Sequence, residues 1–290
     1  MIIGAIEAGG TKFICGIIDS NGNILEKINF PTETPEITLN KVINFFQNKN
    51  ISAIGLGCFG PIDLNPSSEN YGCITTTPKS SWRNFNILNY LKKYFQIPII
   101  FDTDVNGAAL GESLWGAGKN LKNCVYLTIG TGIGGGALVE GNLVHGLLHP
   151  EMGHMFIKVH PEDNFEGICP YHKNCLEGLA SGPAIEKRWN TKAYNLPADH
   201  KAWELEAYYL AQGIVNLILS LSPEKIILGG GVMKQEHLFP LIRKEVTKIL
   251  NNYVSAKTIL ENIDDYIVYP QLKDNAGLLG AAALVLKNPL

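Results

Sequence analysis

Four side chains that commonly bind transition metals lie close together in the second half of the sequence. The set is His154, Cys169, His172 and Cys175. The last three follow a C-x2-H-x2-C spacing that contains Pro170 and a charged turn. Two thiolates and two neutral imidazoles suit the tetrahedral coordination of Zn²⁺ in a closed structural site. The spacing therefore predicts structural zinc, with His149 and His160 as alternative ligands.

Two glycine-rich turns follow apolar segments of β-strand character. They are Gly9-Gly10-Thr11-Lys12 and Gly130-Thr131-Gly132. The run 130–135 matches G-x-G-x-x-G, but the dinucleotide fingerprint requires a following helix, and the apolar residues 136–139 favour a β-hairpin. Bare backbone N–H groups at such turns can approach an anion closely. Each turn alone fits an ordinary hairpin, but together with a third glycine run, described next, the two turns predict a polyphosphate site.

A third glycine run consists of Gly229, Gly230 and Gly231 and follows the apolar segment 225–228. Helical spacing resumes from about residue 234, so the run is expected to precede a helix N-terminus. Such a terminus can bind a phosphate or admit a nucleoside. The sequence contains no G-x4-G-K-[ST] motif, which excludes a P-loop.

Asp104 lies where a buried strand, 99–101, runs out into a small-residue helix. Aspartate is a favoured N-cap, and Asn106 could share that role. A carboxylate at the edge of a cleft could instead accept a hydroxyl proton during phosphoryl transfer. Position alone leaves both interpretations open.

The periodicity of the remaining chain predicts an α/β protein. A β-meander is expected over 2–30, and a second glycine hairpin over 124–140 starts the other half in the same way. Further strands are predicted over 51–59, 99–101 and 225–228, and helices over 37–46, 85–94, 203–221, 234–251 and 275–286. The repeated hairpin suggests two related domains, with the glycine turns facing a cleft between them.

Composition excludes several classes of protein. The chain has 290 residues, 46% of them hydrophobic, and a net charge of −3, so no nucleic-acid partner is expected. The first residues lack the basic region of a signal peptide, and no apolar run reaches the roughly 18 residues of a membrane span. Cysteines without an export signal indicate a reducing compartment. We therefore expect a cytoplasmic protein with no membrane partner.

Five motifs, in order and spacing, resemble those of the ROK family of sugar kinases and repressors. They cover residues 7–12, 102–112, 128–136, 151–154 and 175–182. The resemblance implies the actin-like ATPase (ribonuclease H-like) fold, with two similar α/β domains around a cleft. It implies an N-terminal domain over 1–117 joined by the C-terminal helix 275–290, and a C-terminal domain over 118–274. ATP, Mg²⁺ and a homodimer are also implied.

The resemblance assigns roles to individual residues. Asp104 corresponds to the general base. The implied sugar ligands are Gly60, Pro61, Thr103, Glu151, His154 and Glu177, and His154 would also bind zinc through its other ring nitrogen. The implied nucleotide and phosphate residues are Gly9, Gly10, Thr11, Lys12, Thr131, Gly132, Pro183, Gly229, Gly230 and Gly231. Asp102 and Glu7 are alternatives for placing Mg²⁺.

Three departures from the glucokinase-like pattern resemble the fructokinase branch of the family. Glu7 replaces aspartate, Thr103 replaces asparagine and His172 replaces cysteine, and the segment 77–82 also fits that branch. The expected reaction is ATP-dependent conversion of D-fructose to fructose 6-phosphate. Alternatives are a broader hexokinase acting on mannose or glucose, and a sugar-binding regulator without catalysis. A repressor is disfavoured because the phosphate hairpin starts at residue 2, leaving no room for a helix-turn-helix before it.

Overall fold

The structure is a computed structural model that describes residues 1–288 and divides into two compact units. Unit 1 contains Met1–Lys119, Leu143–Pro150 and the described residues from Asp274 onward. Unit 2 contains Asn120–Asn142 and Glu151–Lys273. The division expected from the sequence places residues 143–150 in the second domain, whereas the structure groups them with unit 1. Residues 289 and 290 of the expected helix 275–290 lie outside the described chain.

Unit 1 is built on a five-stranded sheet with the order β3-β2-β1-β4-β7. Its strands are β1 Ile2–Ala8, β2 Lys12–Asp19, β3 Ile24–Pro31, β4 Ala53–Cys58 and β7 Ile99–Thr103, with a small pair β5 Cys73–Ile74 and β6 Phe85–Asn86. Its helices are α1 Pro35–Phe46, α2 Ile87–Lys92, α3 Asp104–Trp115 and α10 Ala276–Lys287. The β1–β2 and β2–β3 pairs are antiparallel, whereas β1–β4 and β4–β7 are parallel. The expected meander is confirmed.

Glycines allow α10 to lie directly on the sheet and on α3 in unit 1. All six residues of β4 are buried, as expected for a parallel strand covered on both faces. A Cβ at Gly55 would lie 1.7 Å from the Ala281 carbonyl oxygen of α10. A Cβ at Gly280 would lie 2.1 Å from the backbone of Gly107 in α3. The expected return of the C-terminal helix to the first unit is therefore a close backbone contact.

A second part of the core of unit 1 is a cluster of aromatic side chains around Trp82. Trp82 is fully buried, with ring centroids 5.4 Å from Phe13 and 5.8 Å from Phe59. Its indole N–H donates to the Glu33 carbonyl oxygen at 2.8 Å. The segment 77–82, which carries part of the branch resemblance, thus contributes its tryptophan to packing.

Unit 2 repeats the sheet of unit 1, with the order β10-β9-β8-β11-β12. Its strands are β8 Cys124–Ile129, β9 Ile133–Val139, β10 Asn142–Leu143, β11 Lys225–Gly229 and β12 Ile267–Val268. The boundary between the units falls within β10, after Asn142. Its helices are α4 Leu176–Ala180, α5 Gly182–Trp189, α6 Ala202–Leu221, α7 Leu238–Leu250, α8 Lys257–Leu260 and α9 Ile263–Tyr266. The β8–β9 pair is antiparallel and the β8–β11 and β11–β12 pairs are parallel. The hairpin interpretation of residues 130–135 is confirmed.

Two predicted helices begin later than expected. Residues 85–86 form a short strand, and α2 starts after Asn86, whose side chain accepts a hydrogen bond from the Asn89 N–H. The helix predicted from 234 is wrong at its start: Val232–Lys234 forms a 3₁₀ turn, Gln235 adopts a non-helical conformation (ψ 79°), and α7 begins at Leu238. The glycine run 229–231 therefore precedes a single turn and not an α-helix N-terminus. Within residues 1–288 no helix has both the length and the hydropathy needed to cross a membrane.

Candidate active site and metal site

The four predicted metal ligands lie together in unit 2. Their ligand atoms all lie within 4.8 Å of one another. His154 Nδ1 lies 3.4 Å from Cys175 Sγ and 3.7 Å from Cys169 Sγ, and His172 Nδ1 lies 3.7 Å from Cys169 Sγ. Bonds of about 2.3 Å (Zn–S) and about 2.0 Å (Zn–N) at a tetrahedral angle would separate neighbouring ligand atoms by about 3.5 Å. The donor set and its spacing therefore fit a tetrahedral metal ion.

The two histidines considered as alternative ligands, His149 and His160, do not belong to this cluster. His149 Nε2 accepts a hydrogen bond from the Ile62 N–H at 3.0 Å, inside unit 1. His160 Nδ1 accepts from the Glu162 N–H at 3.2 Å, and its ring packs edge-on against Tyr208.

A tight loop brings the cysteines together and leads into α4. Cys169 and Lys173 exchange backbone hydrogen bonds of 3.2 and 2.9 Å. Cys175 is fully buried and immediately precedes α4, whose second residue is Glu177. A Cβ at Gly178 would lie 1.8 Å from the Lys173 carbonyl oxygen, so glycine is required where the helix packs on the loop. The metal-ligand loop thereby sets the position of the Glu177 carboxylate.

Glu177 connects the metal cluster to the glycine hairpin of unit 2. Its Oε1 lies 4.0 Å from His154 Nε2, and its Oε2 accepts a hydrogen bond from the Ile133 N–H at 2.9 Å. A Cβ at Gly132 would lie 2.6 Å from the same Oε2. His154 turns Nδ1 to the two thiols and Nε2 to the Glu177 carboxylate, so the two ring nitrogens have different surroundings.

The hairpin itself is held from its other side by α5. The Gly130 carbonyl oxygen accepts from the Gly182 N–H at 2.8 Å, and Gly130 N–H donates to the Gly132 carbonyl oxygen at 2.8 Å. Thr131 is exposed at the tip, and Pro183 lies in the first turn of α5. Glu151 is exposed next to the turn Met152–His154.

The three glycines of the run 229–231 differ in how much room each has for a side chain. A Cβ at Gly229 would lie 2.4 Å from the Tyr126 hydroxyl, and one at Gly230 would lie 2.3 Å from the Ile129 carbonyl oxygen. Gly230 also has a φ of +93°. A Cβ at Gly231 would meet nothing within 4 Å. Packing against β8 accounts for the first two glycines, whereas Gly231 faces open space.

In unit 1, Asp104 is the first residue of α3 and not its N-cap. Thr103 has an extended conformation, and its Oγ1 accepts a hydrogen bond from the Asn106 N–H at 3.1 Å, so the cap interpretation of Asp104 and Asn106 is wrong. Asp104 Oδ1 accepts from the Val105 N–H at 2.9 Å. Burial raises the pKa of Asp104 to about 6. The result is a carboxyl group more basic than an ordinary aspartate.

Glu7 supplies a second carboxyl group with a perturbed pKa in the same unit. Burial is the main cause that raises the pKa of Glu7 to about 7, and the negative charge of Asp104 is the second. The positive charge of Lys12 acts in the opposite direction and lowers this pKa. A hydrogen bond from the Leu278 backbone reaches its carboxylate, while its buried Oε2 has no hydrogen-bond partner in the described chain. A Cβ at Gly277 would lie 2.4 Å from the Glu7 carboxyl carbon. The Glu7 carboxyl group therefore packs against the first turn of α10.

The first glycine hairpin and the 60–61 loop also lie in unit 1. Gly9 N–H donates to the Lys12 carbonyl oxygen at 3.0 Å, and the Thr32 hydroxyl donates to the Gly9 carbonyl oxygen at 2.7 Å. Gly10 is partly buried, and Thr11 and Lys12 are exposed at the turn. The Gly60–Pro61 peptide is cis, and a Cβ at Gly60 would lie 3.3 Å from the His149 ring.

Sequence reasoning missed a polar cluster beside Asp104. Asp102 Oδ2 lies 2.8 Å from His145 Nε2, and Asp102 Oδ1 accepts from the Asn106 side-chain amide at 2.8 Å. His145 comes from the segment 143–150 and lies 43 residues after Asp102 in the chain. The available signal was the repetition of histidine at 145 and 149, just before Glu151, but only the fold shows what these side chains contact.

Comparisons with known proteins agree with the fold and the motifs. A relative from Bacillus subtilis (strain 168) is 52% identical over 98% of this chain and 95% of its own length. The fructokinase of Pediococcus pentosaceus is 45% identical over 99% of this chain and 100% of its own. Among solved structures, the ROK hexokinase from Thermus thermophilus has a TM-score of 0.79 at 25% identity and covers 99% of this chain and 98% of its own. This likeness confirms the actin-like ATPase fold.

A model of the ROK family matches residues 3–288. Because that match covers nearly the whole sequence and the relatives align over nearly their full lengths, the chain belongs to the ROK family.

Proposed function

We propose that this protein is an ATP-dependent, Mg²⁺-requiring sugar kinase that converts D-fructose to fructose 6-phosphate. The observation that carries the proposal is the Asp104 carboxyl group at the β7–α3 junction, with its pKa raised to about 6 by burial. Full-length similarity to a protein named fructokinase supports fructose as the sugar.

Asp104 acts as the general base in this proposal. At neutral pH the carboxylate is ionised, yet its raised pKa makes it a better proton acceptor than an ordinary aspartate. It accepts the proton of the 6-hydroxyl as that oxygen bonds to the γ-phosphorus and the bond from the γ-phosphorus to the bridging oxygen of ADP breaks. Phosphoryl transfer depends mainly on positioning and charge stabilisation, so one carboxylate can serve.

The residues proposed to bind the sugar are those that the family resemblance implies. In unit 1 these are Gly60, Pro61 and Thr103, whose hydroxyl oxygen caps α3 but whose proton can still be donated. In unit 2 they are Glu151, His154 and Glu177. His154 Nε2 is suited to a sugar hydroxyl because Nδ1 faces the thiols.

Zn²⁺ is proposed for the cluster of His154, Cys169, His172 and Cys175, whose ligand atoms fit it. The ion would supply structural support and would not act on the phosphate. The chain's own contribution is the loop that orients His154 and, through α4, Glu177.

For Mg²⁺, Glu7 fits better than Asp102. Glu7 has a buried oxygen without a hydrogen-bond partner in residues 1–288, whereas both oxygens of Asp102 already take hydrogen bonds. Mg²⁺, when bound with ATP, neutralises phosphate charge.

We assign the phosphates to Gly9, Gly10, Thr11, Lys12, Thr131 and Gly132, and the nucleoside side to Pro183, Gly229, Gly230 and Gly231. Of the last three, Gly231 is the one with open space around it.

The test is ADP release from Mg-ATP with fructose, mannose, glucose and N-acetylated amino sugars, with Asp104→Asn as the blank. We expect a strong preference for fructose that the variant abolishes. Equal rates on fructose, mannose and glucose would contradict the fructose assignment in favour of a broader hexokinase. No ADP release with any sugar, together with sugar binding, would contradict catalysis and leave a sugar-binding regulator.

The proposal also includes a cytoplasmic homodimer without a nucleic-acid partner. The family resemblance supports the dimer, and the net charge of −3 disfavours binding to nucleic acid. Light scattering after size exclusion would measure a mass of twice 31.7 kDa for a dimer. A monomer mass at micromolar concentration would contradict it.

A further inference from the structure

The segment Leu143–Pro150, here called the strap, groups with unit 1 although the chain on both sides of it belongs to unit 2. Two histidines attach it to unit 1. His145 Nε2 lies 2.8 Å from Asp102 Oδ2, and His149 Nε2 accepts the Ile62 N–H at 3.0 Å. Between them Leu147 is 94% exposed and Leu148 is 60% exposed. The strap is therefore attached at these points by polar contacts and not by its leucines.

The carboxylate of Asp102 is the centre of the first attachment. Asp102 is buried at the end of β7, and its Oδ1 accepts from the Thr103 N–H at 2.7 Å and from the Asn106 side-chain amide at 2.8 Å. Its Oδ2 lies within hydrogen-bond distance of His145 Nε2, at 2.8 Å. Thr103 and Asn106 are also the two residues joined by the N-cap hydrogen bond of α3. Asp102 thus holds the turn that contains Asp104.

His145 provides the compensation that a buried carboxylate needs. A charged group removed from water is costly unless it is paired and hydrogen-bonded. The hydrogen bond and the charge of Asp102 raise the pKa of His145, whose side chain is 41% exposed. With Nε2–H donated to Asp102, the imidazole pairs with that carboxylate whether it is neutral or protonated.

We propose that His145 is a positioning residue for the general base: through Asp102 it orders the β7–α3 turn, and it ties that turn to the docking of the strap. The inference rests on the proposed kinase function. Without His145, Asp102 Oδ2 loses its partner in a buried place, so the carboxylate must be protonated or move. Either change loosens the hydrogen bonds to Thr103 and Asn106, and Asp104 between them is displaced.

The kinetic consequences differ between the two substrates. A displaced base lowers kcat, and a misplacement of about 1 Å can reduce a rate by about 100-fold. The second attachment, His149, lies beside Gly60, which is assigned to the sugar. A loosened strap should therefore raise KM for fructose. The phosphate-binding turns of unit 1 do not contact the strap through these bonds, so KM for ATP should stay unchanged.

The experiment compares wild type with His145→Ala, His145→Gln and Leu147→Ala. Gln can place an amide N–H near the position of Nε2, so it should restore most of the activity that Ala loses. We expect His145→Ala to lower kcat by about 10-fold to 100-fold and to raise KM for fructose only. Leu147→Ala, a change at an exposed position of the same strap, should match wild type.

A proton NMR titration of the histidines tests the pair without using activity. We expect the pKa of His145 to be raised in wild type and to fall in Asp102→Asn. An unchanged pKa in Asp102→Asn would overturn the inference, and so would a folded His145→Ala with kcat within about twofold of wild type, or equal loss in the Ala and Gln variants. Inactivity of wild type on every sugar would overturn the proposed function and the positioning role together.

Discussion

Burial of a few carboxyl groups sets the chemistry at the scale of single residues. Asp104 and Glu7 lie on neighbouring parts of unit 1, and burial is the first cause of the raised pKa of each. Asp102, near the end of β7, instead has hydrogen bonds to both of its carboxylate oxygens. We have proposed Asp104 as the base, Glu7 as a Mg²⁺ ligand and Asp102 as the group that orders the turn, and these different proposals follow from the different surroundings of the three carboxyl groups.

The raised pKa of Asp104 predicts an acid limit to activity. A general base must be ionised, and below its pKa of about 6 the carboxyl group is protonated. We expect kcat/KM for fructose to fall about tenfold per pH unit as the pH decreases below about 6. The measurement is kcat/KM from pH 5 to 8, with circular dichroism at each pH to confirm an intact fold. A constant kcat/KM down to pH 5 would show that Asp104 is not the base.

At the scale of elements, the candidate metal-binding loop is linked to the β8–β9 hairpin through helix α4. The metal-ligand loop ends at Cys175, α4 begins at the next residue, and Glu177 in α4 accepts the Ile133 N–H of the β8–β9 hairpin. Gly132 has no room for a side chain beside that carboxylate. Any disturbance of the loop is therefore expected to reach both Glu177, a proposed sugar ligand, and the β8–β9 turn, which is proposed to bind phosphate.

Replacement of a metal ligand tests this connection. We expect Cys175→Ser to lose stoichiometric zinc by metal analysis and to increase amide hydrogen exchange in the hairpin 129–133. Cys73→Ser, at a buried cysteine outside the cluster, should keep one zinc ion per chain and normal exchange. If wild type contains no zinc, or if exchange in the hairpin is unaffected by loss of the metal, the connection is refuted.

At the scale of the whole molecule, each unit contains an antiparallel hairpin followed across the sheet by two parallel pairs: β1–β2, β1–β4 and β4–β7 in unit 1, and β8–β9, β8–β11 and β11–β12 in unit 2. In unit 1 the sheet is covered by α10, a helix from the opposite end of the sequence. Its contact with α3 depends on glycines, because Gly280 lies against the backbone of Gly107. The first and last parts of the chain are thus folded as one unit.

Gly280→Ala should destabilise unit 1 selectively. The new Cβ would lie 2.1 Å from the Gly107 backbone, and overpacking of this kind costs about 1–3 kcal/mol. We expect a lower midpoint in urea and faster hydrogen exchange in β1 and β4 than in β8 and β11. Gly231→Ala is the control, since its Cβ would meet nothing within 4 Å. Equal stability of the two variants would mean that the α3–α10 contact is loose.

The sequence by itself determined the family, the α/β class, both glycine hairpins and the four side chains of the candidate metal cluster, because these depend on local spacing and on residue chemistry. The placement of Leu143–Pro150 in unit 1, the pairing of His145 with Asp102, the cap role of Thr103 and the bond from the Ile133 N–H to Glu177 were decided by the tertiary structure. Each joins groups whose contact depends on how the chain folds in three dimensions. The perturbed pKa values of Asp104 and Glu7 have the same origin, since desolvation is a property of the packed site and not of the residue type.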